Sequence, residues 1–414
     1  MNKKMIGMLL LGFASGLPYM LIFSTLSAWL RDVGVPLSEI GFFAWLALTY
    51  SFKFLWAPLV DRYEIPWIAS IGKRKSWIIF SQFFIFFGLF AMSLINPLSH
   101  LWLLAVFALI VAFFGSLQDV AIDALRIEIG ATEEQGNLAA TYQLGWRLAI
   151  LVATSVALIF ADFVDWSYVY QLMSGFMIAG ILGALILTEG EAFKSSDVKL
   201  STVLIASFKD FFSRFGIFAA SLLLLIISTY RLTDIVMGPM AMPFYLDMGY
   251  SKTEIGALVK SVALGASIIG FFAGGYLIKH FRLSTSLFLG GLGVLATNLF
   301  FSFVALSESS LPLLSFIVGL DSFAAGLVGT VNIAFLTSLV SKNFTAVQYA
   351  MLTSFMMLPG KIFSGFSGIL ADYYISISTL QIGWSYFFYT TSAMSIPALL
   401  LILIYRKKHE TISS

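Results

Sequence analysis

Apolar residues run along this chain in blocks of about twenty, separated by short polar turns, and that is the length a helix needs to cross roughly 30 Å of hydrocarbon. Twelve such blocks are predicted: 5–30, 39–60, 76–96, 101–126, 137–161 and 167–188 in the first half, then 214–246, 254–277, 285–306, 311–338, 346–371 and 382–405. The strict alternation expected of a membrane-barrel strand is absent, so the spans are helical. The first block is too long for a cleaved leader and lacks a clear small-residue cleavage site, so it is predicted to remain as the first span.

The one long polar stretch between blocks, Thr188 to Phe215, divides them six and six. The predicted organisation is therefore a six-helix bundle at 1–188, a cytoplasmic linker at 189–213, a second six-helix bundle at 214–405 and a tail at 406–414. The second part of the linker sets Phe208, Phe211 and Phe212 among Lys209, Asp210 and Arg214. It reads either as an amphipathic helix at the membrane interface or as an early start to the seventh span. Lys and Arg fall almost wholly on one side of the alternating turns, with Arg31 and Lys252 the exceptions, which places both termini in the cytoplasm.

Composition agrees with this pattern. With 59% hydrophobic and 11% charged residues, and a mean hydropathy of +0.93, the chain lacks the polar residues to cover a water-facing surface. A net charge of +2 gives no reason to expect a nucleic-acid partner. With no cysteine there is neither a disulfide nor a thiolate metal site, and His100, His280 and His409 all fall in turns or the tail, so no metal, cofactor or catalytic residue is predicted. No segment is large enough to be a soluble sensing or signalling domain, which argues against a receptor.

Charges inside the spans carry more information, because an Asp, Lys or Arg at the centre of a helix costs about 2.5–3.5 kcal/mol on insertion scales. Nine candidates stand out: Lys53, Asp119, Asp123, Arg147, Arg231, Asp234, Lys260, Asp321 and Lys361. In SLQDVAIDALRIE, Ser116 to Glu128, Asp119 and Asp123 lie four apart and so share one helix face, with Arg126 near it toward the cytoplasm. That face is predicted to line a water-accessible cavity or to meet a cation such as Arg147, with Asp119 the deeper proton-binding candidate. Asp123 reads equally as a permanent partner of Arg126. In the seventh span, Tyr230, Arg231 and Asp234 precede Pro239 and Pro243, either as a gate beside a cavity or as a self-neutralising pair next to ordinary kinks.

Twelve spans in two sixes, with Asp61, Arg62, Gly72, Lys73, Arg74 and Lys75 in the turn after the second, resemble the major facilitator superfamily and its D-R…G-[RK]-[RK] loop, with a longer spacer here. The resemblance implies that Asp61, Arg62, Lys73 and Arg74 act as a gating latch; a basic turn that only sets topology is the alternative. Within the superfamily the chain is similar to the AmpG-type muropeptide permeases of bacterial inner membranes. The matching pieces are LLGFASGLPYMLIFSTLSAWLRDVGV (10–35), SFKFLWAPLVDR (51–62), SLQDVAIDALRIE (116–128), YQLGWRLAILV (142–152), TYRLTDIVMGPMAMPFYLDMGYSKTEIG (229–256) and KIFSGFSGILAD (361–372).

That resemblance implies proton-driven import of anhydro-muramyl peptides from periplasm to cytoplasm by a monomer embedded in lipid, working by alternating access. Related families carry acetyl-CoA, and another solute such as a small organic anion stays open. A glycopeptide cargo calls for aromatic faces, hydrogen-bonding groups and cations. Candidates are Tyr19, Gln118, Tyr142, Gln143, Trp146, Tyr230 and Asn332, with Arg147 and Arg231 as carboxylate anchors and Asp234 beside the latter.

Overall fold

The computed structural model describes residues 2–131, 134–189, 200–341 and 345–412, and among them it contains helices and no strand. Ten helical stretches are long and apolar enough to cross a membrane, from Lys3–Asp32 to Leu380–Arg406. Two predicted spans differ. The block at 39–60 is broken into short α and 3-10 pieces between Leu37 and Arg62, where Pro58 removes a backbone donor and crowds the preceding turn. The block at 346–371 is split between Thr345–Ser364, which contains Pro359, and Ser367–Ser376. Large apolar side chains such as Phe83, Phe87, Phe272 and Phe303 stand exposed, as hydrocarbon-facing positions do.

The chain divides into two compact units, Met1–Ser195 with Ser251–Ala257, and Ser196–Tyr250 with Leu258–Ser414. Of the predicted linker, residues 190–199 lie outside the described residues. The remainder enters the helix Leu200–Tyr230, which Gly216 interrupts at φ +72°, so the helical turns before it are set off from the span after it. Phe208, Phe211, Phe212 and Phe215 pack against the core of the second unit.

In the first unit, Lys3–Asp32 and Gln135–Ala161 lie backbone against backbone. A Cβ at Gly12 would strike the Tyr142 carbonyl, and one at Gly145 would strike the Leu9 carbonyl, so only glycine permits this approach.

The chain carries one local design twice, D-x-G-x4-E-I-G, at Asp32–Gly41 in the first unit and at Asp247–Gly256, of which Asp247–Tyr250 belongs to the second unit and Ser251–Gly256 to the first. Each begins where a helix stops in a glycine with left-handed backbone, Gly34 at φ +91° and Gly249 at φ +81°. The next amide reaches back five residues, Val35 to Leu30 at 2.9 Å and Tyr250 to Tyr245 at 3.2 Å, which closes a Schellman cap. The aspartates then accept indole N–H groups, Asp32 from Trp166 at 2.7 Å and Asp247 from Trp384 at 2.9 Å. Within the first unit, Lys252 donates to Asp32 at 2.8 Å and the Thr253 amide to Asp162 at 2.6 Å.

Candidate functional site

The helix Pro97–Ile129 presents Asp119 half-buried toward Lys3–Asp32. Ser15 donates its hydroxyl to Asp119 Oδ1 at 2.6 Å, and Tyr142 donates to Ser15 Oγ at 2.9 Å. The close backbone approach at Gly12 and Gly145 is what allows a tyrosine on one helix to reach a serine on the other. Among the described residues no Lys or Arg stands within ion-pair distance of Asp119. Tyr19 packs edge-on against Tyr50 at 5.1 Å and Phe23 at 4.7 Å, with Trp146 at 6.5 Å. The Tyr50 hydroxyl rests on Gly115, one turn before Asp119, and is buried without a hydrogen bond.

Asp123, one turn further, is half exposed and pairs with Lys53 at 3.5 Å and Arg126 at 3.9 Å. Lys53 and Arg126 thus stand as cations beside Asp123. Arg147 and Gln143 stand exposed one turn apart on their helix, with Tyr142 and Trp146 half-buried beside them. Gln118 lies fully inside the bundle, donating to the Ala14 carbonyl at 3.1 Å and accepting from Gln82. Its amide holds three helices together.

The basic turn is built around Arg74. Its side chain is buried and donates to Glu128 Oε1 from Nε and Nη2, each at 2.9 Å, and to the Val60 carbonyl at 2.9 Å. Glu189 accepts from the Arg74 amide at 2.5 Å and caps the helix Lys73–Ser93, and burial pushes its carboxyl up while the Arg74 and Lys75 amides pull it back. Lys73 begins the same helix, half exposed. The side chains of Asp61 and Arg62 lie outside the described residues.

In the second unit, Arg231 and Asp234 pair at 3.1 Å, three residues apart. Tyr230 is buried and donates to the Leu287 carbonyl at 2.9 Å, a tie between helices. Asn332 is buried with its amide against Met356 Sδ and its carbonyl oxygen without a partner. Asp321 accepts from Thr297 at 3.0 Å.

A family model described as Major Facilitator Superfamily matches residues 8–362. The chain is 31% identical to the putative transporter AmpG 4 of Rickettsia felis, across 98% of this chain and 97% of that one. It is also 31% identical to the anhydromuropeptide permease of Escherichia coli, across 97% of this chain and 80% of the other. This chain is an AmpG-type permease of the major facilitator superfamily. The crystal structure of the nucleoside transporter NupG shares its fold at a TM-score of 0.74 and 13% identity, covering 98% of this chain and 99% of that one.

The AmpG-type permease is a multi-pass protein of a bacterial inner membrane and a transporter rather than an enzyme. Sequence reasoning passed over Ser15, Tyr50 and Glu128. Glu128 closes the same SLQDVAIDALRIE segment as the aspartates, and its arginine lies 54 residues earlier. Ser15 carries no local signal, because a serine in a small-residue helix face reads as packing. The D-x-G-x4-E-I-G repeat is visible in the sequence, at Asp32–Gly41 and Asp247–Gly256.

Proposed function

We propose that this permease imports anhydro-muramyl peptides from periplasm to cytoplasm as a monomer with both termini cytoplasmic, coupled to the proton gradient by alternating access. One observation carries the coupling: Asp119 sits within an apolar helix, held by a serine hydroxyl and, among the described residues, without a cation at ion-pair distance, so a proton is a natural counter-charge. Asp123, paired with Lys53 and Arg126, is the second proton-coupling carboxylate of the same face in this reading.

The name of the Escherichia coli relative supports the cargo. In this reading Tyr19, Tyr142 and Trp146 offer aromatic faces to a sugar, and Gln143 and Asn332 offer amides. Arg147 and Arg231 with Asp234 receive peptide carboxylates. Arg74 on Glu128, with Lys73, Asp61 and Arg62, forms the latch. Protonation biases the two-state equilibrium only through unequal binding to its two states.

The test is uptake of labelled anhydro-muramyl peptide into proteoliposomes with and without an inward proton gradient. Accumulation stimulated by the gradient is expected. Folded protein that takes up none would overturn the cargo, and uptake indifferent to the gradient would overturn the coupling.

A further inference from the structure

The chain Tyr142–Ser15–Asp119 has a direction that proton inventory alone assigns. A carboxylate only accepts, so Ser15 spends its single hydroxyl proton on Asp119 Oδ1 at 2.6 Å. Ser15 Oγ then has only lone pairs left for Tyr142, which must donate at 2.9 Å. Ser15 is 3% exposed, so water does not substitute for either partner. In this state the Tyr142 proton is committed inward.

We infer that this hydroxyl chain is a reversible donor switch through which a proton on Asp119 frees the Tyr142 hydroxyl to donate to bound cargo. The inference rests on the proton-coupled reading above. When Asp119 gains a proton, its O–H donates to Ser15 Oγ, Ser15 rotates to donate to Tyr142 Oη, and the Tyr142 hydrogen is left to find a new acceptor. One proton is added at the carboxyl, each hydroxyl keeps its own, and no covalent bond other than that O–H changes. The groups facing Asp119 are Lys53, Asp123, Tyr19, Tyr50 and Tyr142, with Arg126 beside Tyr142 and Asp123. Lys53 has only donors to offer, and among the described residues Ser15 Oγ is the oxygen already at hydrogen-bond distance from Asp119, so it is the acceptor that the new O–H meets. Cargo and proton then bind with positive coupling, each tightening the other by the same factor.

The experiment measures affinity of the purified protein for labelled anhydro-muramyl peptide across pH, with no gradient, in wild type, Ser15→Ala and Tyr142→Phe. Wild-type affinity is expected to rise on acidification by a coupling of about 5- to 150-fold, and in both variants that ratio should fall toward unity. A Ser15→Ala protein with the wild-type pH dependence overturns the switch. Infrared difference spectra between acid and alkaline pH, without cargo, provide a second readout. The carbonyl band of protonated Asp119, identified by its loss in Asp119→Asn, is expected to shift in Ser15→Ala, and an unshifted band places the proton on the other oxygen and overturns the switch. Wild type that binds no muropeptide at any pH, yet shows the band shift, would overturn the cargo and leave the switch standing.

Discussion

Trp166 donates its indole N–H to Asp32 at 2.7 Å, and this contact ties the end of the first helix to the start of Trp166–Ile186. Its counterpart, Trp384 on Asp247 at 2.9 Å, occupies the same place in the second unit. Trp166→Phe keeps an aromatic ring but removes one hydrogen bond to a charged group and part of a buried indole, so unfolding in detergent should be easier by at least about 1.5–3 kcal/mol. Gly34→Ala meets no atom within 4 Å, so its expected cost of about 1–2 kcal/mol is backbone strain alone.

Arg74→Ala would leave Glu128 buried with no cation on its Oε1. Removing one member of a buried pair costs about 3–5 kcal/mol. Adding Glu128→Gln should recover part of that loss, and a double-mutant cycle on thermal unfolding measures the coupling.

Gly12→Ala places a methyl on the Tyr142 carbonyl, so the two helices must separate. Overpacking of this kind costs about 1–3 kcal/mol, and gradient-driven uptake should fall as Ser15 and Tyr142 part. Gly136→Ala, on the same helix as Tyr142 with open space around it, should be neutral or stabilising in melting and unchanged in uptake.

Lys4 donates to Glu134 at 2.7 Å in the turn after Pro97–Ile129, and that hydrogen bond holds the Glu134 carboxyl below the ordinary range. A lowered folded value means that the contact stabilises above the unfolded glutamate value of about 4.3 and is lost as pH falls through the lowered one. Glu134→Gln should remove that acid-side slope from a plot of melting temperature against pH and change little near neutrality, as an exposed pair does.

Asp119→Asn should abolish gradient-driven uptake while counterflow exchange of cargo persists. Transport assays in proteoliposomes separate the two, and gradient-driven uptake at the wild-type rate would remove Asp119 from the coupling.

Hydropathy made the membrane class and the aspartates of SLQDVAIDALRIE legible, because insertion in lipid penalises each misplaced charge without reference to the rest of the fold. Two of the predicted spans were less regular than their hydropathy. Apolar character measures affinity for lipid and is blind to the backbone breaks before Pro58 and between Ser364 and Ser367.

The sequence by itself determined that the chain is helical and spans a membrane, and which few residues had reason to carry charge there. Only the tertiary structure decided their partners. Ser15 and Asp119 are 104 residues apart, and Ser15 and Tyr142 are 127 apart. The polar atoms of Gln118 and Tyr230 meet neighbouring helices that the sequence does not name. Periodicity shows which face of a helix is polar, but which side chain meets that face depends on how closely two backbones approach, and here glycines far apart in the chain set that distance.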